Sequence, residues 1–530
     1  MKRTLYENGT VVTMDQRLWQ ADALVTEGSR ILGVGGHEAM TALAGPDCNR
    51  VDMQGGALFP GFNETHNHLS MYAVCRKNAY LGACETIAQV VDTLRKHAAS
   101  SEDPIIVGYC YDDTLLQDGR QISRHDLDEV SRDRPVVIIH ISVHLAFLNT
   151  RALEHMGIGP DTPDPEGGII HKDADGKPTG RLDETAWFAI SDRLGSPDPE
   201  TYVDLLDGAV REFNAQGITG VHDGGLGLEG MPDVVLSAYR RLEAEGRLGM
   251  RVFLSALPEI FDRMQPEPYT EMGDTRVLLG GVKLFVDGAI QTETAALLAP
   301  YADRQDWKGK LIVDPEEFEE QVARYHRAGH HMSIHGNGDA AIEAIITAME
   351  KAGVVGSDAS PRHMLIHCQM AHRDQLLRIR KAGLIPSFFC KHIHNWGDRH
   401  QKIFLGPERS ARIDPAGEAE AMGLPFTLHV DTPVLPAQVI DSIHTAVNRV
   451  TRDGKVLGPD LGVTPYGAVA AYTSMAALCS RSENHRGTLT PGKLADMVLL
   501  DRDMTTVSPE TISATRVLQT IVGGETVYSA

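Results

Sequence analysis

Short apolar runs alternate with polar turns over the first part of the chain. "TLYENGTVVTM", "ADALVTEG", "RILGVGG" and "GALFPGF" are each bounded by Gly, Asn or Asp, the pattern of a small antiparallel sheet. The same style returns at the far end in "ADMVLLDRD", "VLQTIVGG" and "ETVYSA". Residues 1–58 and 486–530 are therefore expected to form one composite β-sandwich built from both termini. Between them the period changes. "GITGVHDGG", "GGVKLFVDGAI", "HHMSIHGNG", "MLIHCQM" and "FTLHVDTPV" are apolar strand-like runs, each followed by a helix-compatible amphipathic segment such as "DAAIEAIITAMEKAG". Strand then helix, repeated, implies a parallel sheet, and at this length a closed (β/α)8 TIM barrel over residues 59–485 in an α/β chain. The span from about 70 to 210 breaks the rhythm, with the turn-rich "TPDPEGGIIHKDADGKPTG" inside it. It is expected to be an α+β insertion on the barrel.

Composition narrows the partners rather than the fold. The chain has 530 residues, 42% of them hydrophobic and 23% charged, enough for two or three structural units. A formal charge of −22 repels nucleic acid and anionic membrane surfaces, so a small neutral or cationic ligand is the better expectation. No window approaches the eighteen apolar residues of a membrane span, and the N-terminal stretch lacks the apolar core and small-residue cleavage site of a secretory signal. The seven cysteines stand singly, without a C-x-x-C pair, which reads as reduced thiols in a cytoplasmic protein. The oligomeric state is left open, a homodimer among the options.

Against that background the 23 histidines carry the candidate chemistry. "PGFNETHNHLS" places His66 and His68 one residue apart after a Pro-Gly break, and alternate residues of a strand share a face. Taken alone, such a pair is more often two solvated histidines at a strand end. Its company decides: the strand-like runs carry His222 and Asp223, Lys283 and Asp287, His335, His367, and His429 and Asp431 near their C-terminal ends. Those ends converge on one mouth in a barrel. His66, His68, His335, His367 and Asp431 make a nitrogen-rich set with one carboxylate, suited to Zn²⁺ or a similar borderline metal, one or two ions per chain. Lys283 lies inside an apolar strand, where a free ammonium is costly. Either it pairs with Asp287 or Asp431, or its neutral amine carries CO₂ as a carbamate that bridges two metals.

"PGFNETHNH", "GVKLFVDGAIQTETA", "SIHGNGDAAI", "LIHCQ", "LHVDTPV" and "GTLTPGKLADMVLLDRD" together resemble the amidohydrolase superfamily, and its YtcJ-like branch most closely. The resemblance runs over nearly the whole chain with the motifs in order. It implies a (β/α)8 metallohydrolase with a composite sandwich, matches the five metal-site residues above, and matches Lys283 to a position that can be carboxylated. Glu64 stands where relatives often carry Asp. "KHIHNWGDRH" resembles the substrate-facing loop of the family, with His392 preferred to His394 and Trp396 beside it as a substrate contact. His144 and Glu184 match segments of the insertion, as substrate contacts or as fold-supporting polar residues, and Asp287 is a further candidate contact.

The implied reaction is hydrolysis of a C–N bond in a small organic amide, an N-acyl or N-formyl amine, or a cyclic amide. Metal-activated hydroxide attacks, Asp431 is the general base, and His222 or His392 stabilises the oxyanion. The alternatives are a lactone or ester hydrolase, a zinc deaminase of the same fold, and a metal-binding regulator without catalysis. The deaminase is disfavoured by Gly338, which occupies the position three after His335 where a Glu is wanted.

Overall fold

The computed structural model describes residues 2–141, 143, 145–268, 271–356 and 361–530. It divides into two compact units, one of residues Met1–Ser70, Val210–Asp431 and Ala437–Ala530, the other of Met71–Ala209 with Thr432–Pro436.

Eight parallel strands form the barrel of the first unit: β1 (Phe62–Asn67), β2 (Ile218–Leu226), β3 (Arg251–Ala256), β4 (Val277–Phe285), β5 (His331–Gly336), β6 (Met364–His367), β7 (Ile385–Phe388) and β8 (Thr427–Leu428), each hydrogen-bonded to the next in chain order. Helices follow them as the amphipathic pattern implies, among them Pro232–Ala244 after β2, Asp339–Lys351 after β5 and Arg373–Ala382 after β6. Every residue of β1, β2 and β3 is buried, which is why these strands read as continuous apolar runs rather than as alternating ones.

Two side chains and one main-chain bond close the seam between β1 and β8. The Glu64 carboxyl accepts the main-chain N–H groups of His66 and Val430, both at 3.2 Å. Thr65 Oγ1 donates to Leu428 O at 3.1 Å, and the Asp431 N–H donates to His66 O at 3.3 Å. Burial pushes the Glu64 carboxyl well above the usual carboxylate range, and its two oxygens serve one strand end each.

The same unit holds two further sheets. One is four-stranded, in the order Arg30–Gly35, Ala23–Glu27, Arg3–Glu7, Asn49–Asp52. The other is six-stranded, in the order Glu525–Ser529, Val517–Val522, Met497–Leu500, Ala57–Pro60, Thr10–Asp15, Leu18–Ala21. They share a core of Tyr6, Val11, Leu24, Ile31, Leu58, Met497 and Ile521. A buried ion pair joins this region to the barrel: Arg251 Nε on β3 meets Asp496 Oδ2 at 2.6 Å, with both side chains 3% exposed.

The second unit carries a mixed six-stranded sheet in the order Gly168–Lys172, Pro178–Glu184, Leu145–Leu148, Val136–His140, Ile106–Tyr111, Ala79–Tyr80. The helix Ile87–Ser100, capped by the Thr86 hydroxyl, packs Val90, Val91 and Leu94 into its core. Among the described residues, no helix is long and apolar enough to cross a membrane.

Candidate metal centre

The C-terminal strand ends bring six of the candidate residues to one place. His66 is the fifth residue of β1, with His68 just beyond the strand; Lys283 lies in β4, His335 in β5, and His367 ends β6. Asp431 follows β8 by three residues. Gly224, in β2, makes the space: a Cβ there would stand 2.7 Å from His66 Nδ1.

His66, His367 and Asp431 offer donor atoms that all lie within 4.8 Å of one another. Asp431 Oδ1 stands 3.3 Å from His68 Nε2 and 3.6 Å from His66 Nε2, and Asp431 Oδ2 is 4.0 Å from His367 Nε2. Lys283 Nζ lies 3.2 Å from His66 Nε2 and 4.9 Å from the centre of the Phe285 ring. The His335 ring is 4.6 Å from that of His367, with its Nε2 donating to Gly288 O at 3.1 Å.

Burial governs the charges. It drives the His66 and His367 rings well below their ordinary value and His335 to about 3, so all three are neutral and keep a lone pair. Burial also lowers the Lys283 amine to about 7, partly opposed by the Asp431 charge. For Asp431 burial pushes upward, but the contact with His68, then the neighbouring His429 and Lys283, outweigh it and hold the carboxyl at about 2. An ionised carboxylate among neutral imidazoles is a ligand set for a divalent transition metal. His66 Nδ1 and Asp431 Oδ1 are moreover buried without a hydrogen-bond partner among the described residues, a costly state that a bound cation relieves at Asp431.

The other candidates are placed differently. The His222 Nε2 is 2.7 Å from Ser255 Oγ and its ring packs on Phe253; among the described residues it has no hydrogen bond or ion pair to the six. His392 lies beside the centre, 6.2 Å from the His367 ring and 4.5 Å from Phe389, with Nδ1 3.3 Å from Asp414 Oδ1. His394 instead donates to Val450 O. Trp396 is buried behind His392, at 5.8 Å between rings. Asp287 is buried, and its carboxylate accepts the N–H groups of Asn337, Gly338 and Ala296. What it holds is the loop after β4 against the end of β5. Glu184 ends its strand in the second unit, exposed and at a φ of 53°. His144 lies outside the described residues.

Two partners emerge that spacing alone did not single out. Asp414 orients His392, and His429 Nε2 lies 3.1 Å from His367 Nδ1. His429 was visible as a strand-end histidine two residues before Asp431, but nothing in the run distinguishes a ligand from a residue that holds one. In the second unit Asp112, Asp113 and His140 also form a compact trio. There the Asp112 carboxylate accepts the Thr114 N–H and hydroxyl, and that of Asp113 faces His140 and Gln121.

A family model described as "Amidohydrolase family" matches residues 50–528. Over 99% of both chains, the sequence is 27% identical to the "Putative amidohydrolase YtcJ" of Bacillus subtilis (strain 168). It is 28% identical to the N-substituted formamide deformylase of Arthrobacter pascens, over 99% of this chain and 98% of that one. Among solved structures, an uncharacterized metal-dependent hydrolase from Pyrococcus horikoshii OT3 superposes with a TM-score of 0.77 at 25% identity, covering 96% of this chain and 99% of its own.

Proposed function

The chain belongs to the amidohydrolase family, and from that premise we propose that it cleaves the C–N bond of a small organic amide, an N-acyl or N-formyl amine, or a cyclic amide. The observation that carries this reading is the convergence of His66, His367 and Asp431 at the C-terminal strand ends, with donor atoms within 4.8 Å of one another. His66, His68, His335, His367 and Asp431 would hold zinc, with the Lys283 carbamate as a further ligand in a two-metal form.

Zinc bound there supplies Lewis acidity, which polarises a carbonyl and acidifies water. Asp431 takes the proton of the attacking water at a carboxylate oxygen and passes it to the leaving nitrogen as the tetrahedral intermediate collapses. Burial pushes the Asp414 carboxyl upward; with the proton of their contact kept on Asp414, His392 Nδ1 accepts it and the Nε2–H of His392 is free to donate to the developing oxyanion. Loss of such a donor typically raises the barrier by about 2.7–4 kcal/mol. His222 is less suited to that role because its Nε2 is engaged by Ser255. Trp396, behind His392, backs the substrate side.

Likeness to the formamide deformylase favours an N-formyl or N-acyl amine over a lactone. The test is a panel of N-formyl and N-acyl amines, lactams and lactones, presented to zinc-loaded protein and to protein stripped by a chelator. Amine release that disappears on stripping and returns with zinc is the expected result. Lactone hydrolysis with every C–N substrate left intact would overturn the proposal.

A further inference from the structure

Three hydroxyl and imidazole groups behind His367 form a chain with a defined direction. His367 Nδ1 lies 3.1 Å from His429 Nε2, His429 Nδ1 lies 2.9 Å from Ser387 Oγ, and Ser387 Oγ lies 3.2 Å from Thr65 Oγ1. All four residues are buried, so none of these bonds is exchanged with bulk water. Thr65 has one hydroxyl proton, and its geometry directs that proton to Leu428 O at 3.1 Å or Thr427 Oγ1 at 3.0 Å. A carbonyl oxygen only accepts.

Toward Ser387, Thr65 must therefore accept, and Ser387 spends its own proton on Thr65. Ser387 in turn accepts from His429, so the single N–H of a neutral His429 ring sits on Nδ1. Its Nε2 is left as an acceptor, and the partner able to donate to it is the Nδ1–H of His367. His367 then carries its lone pair on Nε2, the nitrogen that stands 4.0 Å from Asp431 Oδ2. Phe389 stacks on the His429 ring at 5.2 Å and 26° and fixes its plane.

We propose that His429 is a positioning residue, which accepts the His367 Nδ1–H and so selects the tautomer whose Nε2 lone pair faces the metal centre. The inference rests on the reading of that centre given above. A partner of this kind on the remote nitrogen of a ligating histidine sets both ring orientation and basicity, and its loss typically weakens metal affinity by about 10- to 100-fold. Polarity starts on β8, at Leu428 O or Thr427 Oγ1, so the direction is built into that strand rather than left to a titrating group.

The experiment measures zinc affinity of the full-length protein by competition with a chromophoric chelator, with no substrate present. His429→Phe removes the acceptor and is expected to bind zinc about 10- to 100-fold more weakly than the native chain. His429→Gln supplies an amide oxygen in its place and should recover most of that loss, which a purely space-filling role for His429 would not produce. If His429→Phe does not fold, Ser387→Ala carries the test: it unties His429 Nδ1 and should weaken zinc binding several-fold. Native affinity in a folded His429→Phe, or in Ser387→Ala where that variant stands in, overturns the proposal. Native protein that binds no zinc at all defeats the metal-site reading itself, so the two failures are distinguishable.

Discussion

Asp431→Asn separates proton transfer from metal binding. The change is isosteric, and Asn tolerates the left-handed φ of 61° at this position as Asp does. The main-chain bond from Asp431 N to His66 O is untouched, so the fold and the seam survive. On the proposed ligand set, four imidazoles would remain to hold the ion. What disappears is an acceptor for the water proton, because a side-chain amide cannot take it. General acid–base groups contribute about 10²- to 10⁴-fold, which at about 1.36 kcal/mol per decade is roughly 2.7–5.4 kcal/mol of barrier. The assay is kcat/KM on an N-acyl amine at saturating zinc, with metal content measured by elemental analysis on the same sample. A loss of at least about a hundredfold with most of the metal retained is expected. Turnover within about tenfold of the native chain at full metal content would refute the assignment of the base, and His392 would be the next residue to test.

Three further outcomes are expected. Lys283→Ala should lower metal content and activity together, with short carboxylic acids partly restoring both; an unmodified Lys283 amine beside a single zinc in a crystal would refute the carbamate. Asp496→Ala strands the buried Arg251 guanidinium, which Asp496 contacts at 2.6 and 3.2 Å, and should cost about 3–5 kcal/mol in urea unfolding, whereas the double change Arg251→Met with Asp496→Leu should cost far less. The Arg50 guanidinium, then the His37 ring, hold the Glu7 carboxyl down at about 2, below its unfolded value of 4.5. That contribution to stability is complete above pH 4.5 and lost as pH falls through about 2, so Glu7→Gln should show a flatter acid limb in thermal melts.

The barrel was legible because its signals are local, and those of the candidate ligands are local too. An H-x-H at the end of an apolar run, or a lone Lys between Val282 and Leu284, can be read from the immediate neighbours. Seam and orienting contacts were not, because they join residues remote in sequence. Thr65 meets Ser387 across 322 positions, and Asp414 reaches His392 from a loop that no pattern marks. Asp287 shows the converse: a carboxylate at a strand end looks like a site residue, and although its Oδ1 stands 3.7 Å from His335 Nε2, its hydrogen-bond partners are the main-chain amides of Asn337, Gly338 and Ala296, which carry no side-chain signature. His222 is similar, since a histidine in an apolar run looks the same whether it meets a ligand or a serine, and in the structure it stands mid-strand, fifth of the nine residues of β2.

Pairing of Ala57–Pro60 with Met497–Leu500 has a consequence for synthesis. Leu58 and Leu499 face each other in that antiparallel ladder, and about 440 residues must be made between them. At about 5–20 residues per second, the earlier strand waits roughly 20–90 s for its partner to be translated. Throughout that interval one edge of an apolar strand is unpaired, on a segment that leads directly into β1 and its histidines. A growing chain can assemble much of the barrel meanwhile, but the six-stranded sheet forms only after nearly the whole polypeptide has left the ribosome. Chaperone dependence should therefore track the covering of that edge, and a short peptide matching Met497–Leu500, supplied in trans, would be expected to protect stalled nascent chains from aggregation.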